Sequence, residues 1–366
     1  MKCHLQRLAV GRRTAADYEP IVGADAIERL REAARPLSGT RVAHLTAAGS
    51  RLRSTDLLPS LLSLYEDLGL HPELYALAGE RPLWRLVRQL EDGMQGGETA
   101  IADEVWDDYL DSAPPLEGFD LVVIHGPGPI GAAANANVVW LPWLDHSNAD
   151  GDVWGRLIAL AEPDDLPEAI DPLAPGSVDL PVRLAGSMLR SAGIDVGNPC
   201  CCQIRPFDSW QDPHEVLDAF ELATKEVPNL QLVLAGDPSR GDIEAWRLLR
   251  EVSDYADARE GVLLLSGPAG LGNTELNALR TIARAAVEST IGPAPATTTL
   301  ETLWKGTPVI REDSPEATAA RLVELVRDPG LGIELGTAGR ELVRERHLIT
   351  TLAENELRLL ASFQSA

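Results

Sequence analysis

Two kinds of hydrophobic pattern alternate along the chain. Short apolar runs of strand length are separated by longer stretches in which apolar residues recur every three or four positions, as in amphipathic helices. The predicted strands are 41–50, 72–77, 120–129 and 136–147 in the first half, and 199–207, 231–236 and 261–266 in the second. Because parallel strands are joined by helical crossovers, the alternation predicts an α/β fold with a doubly wound parallel sheet in each half.

The remaining periodic stretches are predicted to be helical. Residues 1 to about 38 are rich in arginine and show no clear strand. The other predicted helices are 56–70, 82–96, 100–113, 213–227, 242–258, 274–286 and a tail from about 316. The segment 297–310, TTTLETLWKGTPVI, completes the second set of elements.

A segment rich in proline and glycine, IDPLAPGSVDLP (170–181), has no periodicity and is typical of a domain linker. We therefore predict an N-terminal Rossmann-like domain over 1–175 and a C-terminal Rossmann-like domain over 176–350. The last residues, 351–366, are expected to form a helix that packs back on the N-terminal domain. A chain of 366 residues is long enough for two hydrophobic cores.

Charge excludes two classes of partner. The formal net charge is -24, and lysine occurs only at Lys2, Lys225 and Lys305. A nucleic-acid binder or a protein of anionic membrane surfaces needs a basic face, so we expect neither partner. The N-terminal sequence MKCHLQRLAVGRRT lacks the apolar core of a signal peptide, and no apolar run approaches the ~18–20 residues of a membrane span. A cytoplasmic location is the expectation.

The cysteines do not indicate disulfides or a metal site. Cys200, Cys201 and Cys202 are consecutive, so their side chains alternate between the two faces of a predicted strand. No Cys-x-x-Cys pair or histidine cluster has the spacing of metal ligands. We interpret these cysteines as small core residues and predict no metal site.

Four phrases of the sequence resemble the motifs of one glycosyltransferase family, in the same order and at similar spacing. They are VIHGPGP (123–129), AIDPL (169–173), FDSWQDP (207–213) and LETLWKGTPVI (300–310), beside the family's VIHDPQP, SIDPL, FDPWKDP and TEAxWKGxPVI. The chain thus resembles the trehalose glycosyltransferring synthases, a branch of the family-four retaining glycosyltransferases. The resemblance runs from about residue 41 to 311.

This resemblance implies a GT-B fold, in which two Rossmann-like doubly wound domains face a cleft. It also implies transfer of glucose from a nucleotide sugar, such as UDP-, ADP- or GDP-glucose, to a sugar acceptor with retention at the anomeric carbon. The nucleotide sugar would be a co-substrate, and no other cofactor is implied. The family further suggests a homodimer.

The phosphate-handling residues of the family are replaced in this chain. In FDSWQDP and the residues before it, the family's arginine and lysine correspond to Pro206 and Gln211, and Arg205 lies one position early. The family's glycine-rich turn after the first strand is here TAAGSRLRSTD, in which Arg51 and Arg53 add charge. These two arginines are either a substitute anion clamp or exposed residues of a filled loop.

The glutamate pair of the family is half retained. Glu301 corresponds to the glutamate that holds the nucleotide ribose, and Lys305 lies one turn later in the same motif. The partner glutamate, eight positions earlier, is replaced by Pro293, which also lacks a backbone donor. Glu301 and Lys305 therefore join Arg51, Arg53 and Arg205 as candidate donor-binding residues.

The residues expected near the sugar or acceptor come from the first half. His125 matches the family's histidine, although its neighbours are Gly126 and Gly128 in place of aspartate and glutamine. Alignment on the strand VVWLPWLDHS places the family's second histidine at Trp143 and its aspartate at Asp145, with His146 three positions after Trp143. Trp143 is interpreted either as a packing residue or as a ring that stacks on a sugar. The sequence assigns no catalytic residue.

Three hypotheses remain open from the sequence. The first is an active transferase with a remodelled donor site, in which the arginines and Lys305 converge on the phosphates. The second is an inactive pseudo-glycosyltransferase that binds a ligand or a protein partner. The third is a different reaction run on the same fold, because fold alone does not decide function.

Overall fold

The computed structural model describes residues 1–48, 50, 56–94, 99–135, 138–144, 146, 149, 151–207, 213–238, 243–266, 272–288 and 296–364. The chain divides into two compact units. Unit 1 comprises Met1–Ala169 and His347–Ala366, and unit 2 comprises Ile170–Arg346. The predicted domain boundaries, 175/176 and 350/351, lie a few residues beyond these points. Each unit is described by itself.

Unit 1 is built on a five-stranded sheet, as far as the described residues show. Its strands are β1 (Cys3–Leu8), β2 (Arg41–Ala47), β3 (His71–Gly79), β4 (Leu121–His125) and β5 (Val138–Leu141). The spatial order is β1-β3-β2-β4-β5, with β1 antiparallel to β3 and the other pairs parallel. All five residues of β4 are buried, which is why this strand reads as a continuous apolar run.

Helices cover this sheet. They are α1 (Ala15–Val22), α2 (Ala24–Ala34), α3 (Leu58–Asp67), α4 (Arg81–Met94), α5 (Asp103–Ser112), α6 (Gly151–Ile158) and α14 (Ile349–Gln364). The core on one face of the sheet joins Leu45 and Ile124 of the strands to Leu86 and Leu90 of α4. The C-terminal helix α14 packs on α2 and α3 and so belongs to unit 1.

Unit 2 has a second sheet of five described strands. They are β6 (Cys200–Ile204), β7 (Gln231–Ala235), β8 (Val262–Leu265), β9 (Ala285–Val287) and β10 (Val309–Ile310), in the order β10-β9-β6-β7-β8 with all pairs parallel. The helices are α7 (Val182–Ser191), α8 (His214–Thr224), α9 (Ile243–Asp257), α10 (Asn273–Ile282), α11 (Ala296–Trp304), α12 (Pro315–Arg327) and α13 (Pro329–Arg346).

The three cysteines of β6 are core residues, as predicted. Cys201 contributes to the hydrophobic core on one face of the sheet, and Cys200 and Cys202 contribute to the core on the other. Their thiols are free, and burial raises the pKa of each; that of Cys202 rises to about 12. These thiols remain protonated, so the structure favours packing over redox chemistry.

Two strands lie where the sequence analysis predicted helices, and a third, β10, lies in the segment 297–310, for which no strand was predicted. The N-terminal region, predicted to be helical throughout, begins with β1, an outer strand whose residues alternate between half-buried and exposed. A helix was predicted over 274–286, but the observed helix ends at Ile282. Ala285 and Ala286, at the end of the predicted helix, belong to strand β9. Alanine favours helices, but Ala285 and Ala286 pair with Cys201 and Cys202 of β6. Tertiary pairing overrides the local preference there.

The segment predicted as a linker is packed against unit 2. The Leu173 N–H donates to Asp171 Oδ1, and the Asn277 amide donates to the carbonyls of Pro175 and Val178 at 2.9 and 2.8 Å. Trp304 Nε1 donates to the Ser177 carbonyl at 3.0 Å. The segment's backbone groups are therefore bonded to α10 and α11.

Candidate functional site

Each sheet has one place where the strand order reverses. In unit 1 the chain goes from β2 out to β3 and returns to the other side of β2 with β4. In unit 2 it goes from β6 out to β7 and β8 and returns with β9. Open parallel sheets bind ligands at the carboxyl ends of the two strands that flank such a reversal. The candidate sites are therefore the carboxyl ends of β2 and β4, and of β6 and β9.

Arg205 follows β6 directly, at the reversal of unit 2. Its backbone N–H donates to the Ala235 carbonyl at 2.9 Å, and its side chain is buried, with 6% of the residue exposed. Gly236 makes this position possible, because a Cβ at 236 would lie 1.7 Å from the Arg205 carbonyl oxygen. This close contact between the backbones of Gly236 and Arg205 fixes the position of the Arg205 main chain, from which the guanidinium side chain extends.

Glu301 lies in α11, the helix that begins beyond the carboxyl end of β9. Its Oε2 lies 2.6 Å from Nη2 of Arg280, whose side chain is 1% exposed, while the Glu301 side chain is 12% exposed. Its Oε1 lies 3.0 Å from where a Cβ on Gly176 would be. A glycine at 176 leaves room for the carboxylate, and Arg280 balances its charge.

Lys305 extends into the packed segment of unit 2. Its ammonium nitrogen donates to the Val178 carbonyl at 3.0 Å and to the Ser177 carbonyl at 3.4 Å, and lies 3.7 Å from Asp179 Oδ1. Burial, opposed in part by Asp179, lowers the pKa of Lys305. In this arrangement Lys305 is bonded to backbone carbonyls of unit 2, and the Arg340 guanidinium lies over the adjacent Trp304 ring, 4.6 Å from its centroid.

His125 ends β4 at the reversal of unit 1 and is 1% exposed. Trp143 Nε1 donates to His125 Nδ1 at 2.9 Å, and the two rings are nearly parallel at 7° with centroids 6.0 Å apart. Trp143 has φ 57° and is the one non-glycine residue with positive φ among the described residues. Such a conformation costs on the order of 1–3 kcal/mol, so the surrounding contacts must hold it.

His44 of β2 continues this arrangement into the core. Its Nδ1 lies 3.0 Å from His125 Nε2, and its ring is fully buried. Indole N–H is a donor only, so His125 Nδ1 must accept and the neutral ring must carry its proton on Nε2. That proton is then donated to His44 Nδ1, and the proton of His44 lies on its own Nε2. The donor and the acceptor of each hydrogen bond are thus fixed from Trp143 through His125 to His44.

Glu356 of α14 also lies beside His44. Its Oε1 lies 3.8 Å from His44 Nδ1, its carboxyl is fully buried, and Tyr65 of α3 adjoins it. Burial raises the pKa of Glu356 to about 8 and lowers that of His125 to about 3; burial and the neighbouring His125 lower that of His44. At neutral pH the cluster is uncharged, because each charged form would be buried without adequate compensation.

Comparison with known proteins shows which proteins the chain resembles. No family model matches the sequence. The chain is 27% identical to the trehalose synthase of Rubrobacter xylanophilus over an alignment of 411 positions, which covers 98% of this chain and 99% of that protein. The chain is thus similar to a trehalose synthase along nearly its whole length. This confirms the family suggested by the sequence motifs.

Solved structures confirm the GT-B fold of this trehalose-synthase relative. Sucrose-phosphate synthase from Thermosynechococcus elongatus superposes with a TM-score of 0.62 at 14% identity, over 89% of this chain and 99% of that one. Anabaena HepE, solved in complex with UDP-glucose, superposes with a TM-score of 0.57 at 12% identity, over 88% of this chain and 99% of that one. At these identities the likeness establishes the fold alone.

The VIHGPGP motif of this trehalose-synthase relative is built around its glycines. Gly126, where the family motif has aspartate, has φ 78°. A Cβ on Gly128, where the motif has glutamine, would lie 2.5 Å from the Ala47 Cβ. The glutamine of the family motif would not fit at 128 without rearrangement, and the positive φ at 126 favours glycine.

The structure places some of the other predicted site residues and leaves others outside its description. His146 stacks on Trp154 with centroids 5.2 Å apart, and its Nε2 lies 3.8 Å from Asp165 Oδ2. It therefore has partners of its own and does not share the hydrogen bonds of His125 and Trp143. Arg51, Arg53 and Asp145 lie outside the described residues, as do Gln211 and Pro293.

Sequence reasoning missed three residues of these clusters. His44 and Glu356 flank His125, and Arg280 pairs with Glu301. A signal existed for two of them. His44 interrupts an otherwise apolar strand, and Glu356 falls on the buried stripe of α14 with Leu352, Leu357 and their neighbours. A charged residue on an apolar stripe indicates a buried polar contact.

Two features are absent from the described residues. Within them, no group of three or more histidine, cysteine, aspartate or glutamate side chains is arranged to hold a metal ion. Over the same ranges, no helix is both long enough and apolar enough to cross a membrane.

Proposed function

We propose that the protein is a retaining hexosyltransferase that moves a hexose from a nucleotide sugar to a small acceptor. One observation carries the proposal. Arg205 and the start of α11, the helix that contains Glu301, follow the two strands that flank the order reversal of unit 2. A guanidinium and a carboxylate at such a place suit the diphosphate and the ribose hydroxyls of a nucleotide sugar.

The donor site would differ from that of the relatives. Arg205 would replace the missing arginine and lysine as the partner of the departing diphosphate, whose developing charge needs preorganised donors. Glu301 would bind the ribose, with Arg280 holding its carboxylate in one orientation. Lys305 contributes indirectly, because its ammonium secures residues 177 and 178 beside α11.

The acceptor side would lie at the reversal of unit 1. His125 and Trp143 occupy the carboxyl end of β4 and the segment after β5, and Asp145 follows in the same segment. An indole ring suits a sugar, which offers apolar C–H faces but no charge, and the buried His125 accepts the hydrogen bond of that indole.

A second candidate function is an inactive homologue that binds a ligand or a protein partner. Two described donor candidates favour it: Glu301 is paired with Arg280, and Lys305 is bonded to carbonyl groups of unit 2. If both contacts persist with ligand present, neither side chain is free to grip a sugar diphosphate. The protein would then keep the fold without the transfer reaction.

Calorimetric titration separates the two functions. The intact protein is titrated with UDP-, ADP- and GDP-glucose and with UDP, ADP and GDP. The transferase proposal expects micromolar binding of one pair, weakened by Arg205→Gln and Glu301→Gln but not by Arg183→Gln, which alters an exposed arginine of α7. Lack of binding at millimolar concentration of every nucleotide sugar would refute the transferase and favour the inactive homologue.

If a nucleotide sugar binds, transfer itself is the second measurement. The protein is incubated with that donor and a panel of monosaccharide acceptors, and release of the nucleoside diphosphate is followed. Product with the donor's anomeric configuration supports retaining transfer. Binding without release on any acceptor would favour the inactive homologue.

A further inference from the structure

β8 is the outer strand of the unit 2 sheet, and β7 is its one neighbour among the described strands. The carbonyls of Gly261 and Leu265 accept hydrogen bonds from backbone N–H groups of β7 and of the residue after it. Backbone groups alternate in direction along a strand, so the N–H and the carbonyl of Leu264 point away from β7. This edge of β8 therefore offers a donor and an acceptor to a further strand.

The side chains of β8 do not protect this edge. The sequence GVLLLS (261–266) contains no charged residue and no proline, the residue types with which proteins commonly keep an edge strand from pairing. Leu263, Leu264 and Leu265 are only half-buried. A strand edge that is both unpaired within its sheet and apolar is typical of a surface at which a second chain binds.

A groove of about 680 Å³ lies beside β8, and one face of α9 forms its wall. Residues of this face recur every three or four positions, and they include Trp246, Arg250, Asp254 and Asp257. Trp246 is 53% exposed, and the three charged side chains are exposed as well.

The charges of the groove have no counterpart within the part of the chain that the structure describes. Neighbouring residues are paired, since Arg247 bonds to Glu244 and Arg259 to Glu221. No ion pair of the described residues involves Arg250, Asp254 or Asp257. The groove thus offers one cation and two anions, beside an indole ring and an open strand edge, to a partner.

We propose that the outer edge of β8 and this face of α9 form the interface of a homodimer, in which the β8 strands of two copies pair antiparallel about a two-fold axis. With the axis at Leu264, the two copies of Leu264 exchange both of their N–H···O bonds. Such an axis is perpendicular to the sheet, so it places the two α9 helices side by side and antiparallel. Arg250 of one copy then lies towards Asp254 and Asp257 of the other.

The chemistry of the groove favours a second copy over a different partner. A two-fold interface uses the same patch on both chains, so the open edge, the apolar side chains and both signs of charge each meet their complement. A partner segment of one charge would leave either Arg250 or the two aspartates unmatched. The inference concerns the surface of unit 2 and does not depend on the proposed transferase activity.

The oligomeric state of the full chain is the first test. Sedimentation equilibrium over a micromolar concentration range should give a mass that rises to twice that of the chain. A monomer at every concentration would overturn the proposal.

Charge reversal then locates the interface. Arg250→Asp and Asp257→Arg should each weaken dimerisation by about tenfold or more, because each places like charges opposite one another. A mixture of the two variants should dimerise again, since each supplies the sign that the other lacks. Arg247→Asp, an exposed position of α9 outside the groove lining, should have no effect. A dimer that survives both reversals, or a mixture that stays monomeric, would overturn this interface.

A second pair of variants tests the apolar part of the groove. Trp246→Ala should weaken dimerisation, whereas Trp84→Ala, which alters an exposed tryptophan of unit 1, should not. Circular dichroism of each variant confirms that the fold is retained. Equal dimerisation of Trp246→Ala and the unmodified protein would contradict the placement of α9 in the interface.

Discussion

Nε2 of His125 lies 3.0 Å from Nδ1 of His44, across the two strands at which the sheet order of unit 1 reverses. The two rings meet edge to edge through this bond, with centroids 5.3 Å apart and an interplanar angle of 18°. Both rings are buried, and the Trp143 indole N–H donates a hydrogen bond to His125 Nδ1. A buried histidine pair with a fixed donor at one end has one allowed arrangement of protons at neutral pH.

The first prediction concerns that arrangement. In 15N spectra of histidine-labelled protein, both rings should be neutral with the proton on Nε2 from about pH 5 to pH 8, because burial lowers the pKa of His125 to about 3 and depresses that of His44. The exposed His71 serves as the reference for a solvated ring. A His125 ring protonated on Nδ1 would contradict the bond from Trp143.

The same groups make the fold sensitive to acid. The unfolded chain binds a proton on His125 below about pH 6.5, whereas the folded chain does so only near pH 3, and the pKa of His44 is lowered in the same direction. The free energy of unfolding that these neutral rings contribute is therefore lost as pH falls below about 6.5. His44→Asn, with no imidazole at that position, should lose less stability between pH 6.5 and pH 4 than the unmodified protein. Equal losses in urea titrations would contradict this.

The second prediction concerns Glu356. Burial raises its folded pKa to about 8 from an ordinary value of 4.5, and this outweighs the hydrogen bond from Tyr65, which lowers the pKa. Between these values the folded state holds a proton that the unfolded state has released, so this group lowers stability as pH rises, by at most about tenfold in the unfolding constant per pH unit. Glu356→Gln should therefore gain stability relative to the unmodified protein on going from pH 5 to pH 8.

Chemical denaturation at the two pH values measures the effect. Glu334→Gln, in an exposed position of α13, is the matched control and should show no such gain. A difference between Glu356→Gln and the unmodified protein that stays constant from pH 5 to pH 8 would show that Glu356 is ionised in the folded state.

The third prediction concerns the pair of Arg280 and Glu301. Arg280→Met should destabilise the protein by about 3 kcal/mol, because it leaves the Glu301 carboxylate largely buried without its cation. The double variant with Glu301→Met should recover part of this loss. Urea denaturation of the two single variants and the double variant gives the coupling energy. Additive effects in this cycle would show that the two side chains do not interact.

The fourth prediction concerns the approach of Gly236 to Arg205. Gly236→Ala should destabilise the protein by about 3 kcal/mol or more, because the new Cβ would lie 1.7 Å from the Arg205 carbonyl oxygen and backbone must move. Gly332→Ala is the control, since a Cβ at 332 in α13 would meet no atom within 4 Å and alanine favours helices. Thermal unfolding of both variants gives the comparison. Similar melting temperatures would contradict the close approach.

Local patterns were sufficient for most elements and insufficient for the contacts of the site. Seven of the strands were predicted because their apolar runs are continuous or nearly so, as in β4 and β7. The exposed alternation of β1 and the short, alanine-rich β9 carry too little local signal. Glu301 and Lys305 were selected from their motif, but their partners Arg280 and Val178 come from other segments.

The sequence by itself determined the alternation of strands and helices, the two cores and the resemblance to trehalose synthases, because periodicity and short motifs are local properties of the chain. Only the tertiary structure decided that β2 and β4 are neighbours, that α14 returns to unit 1, and hence that His44, His125 and Glu356 meet. Strand order and the return of the last helix bring together residues far apart in the chain. A local sequence pattern contains no information about such long-range contacts, so the site clusters can be recognised only in the folded structure.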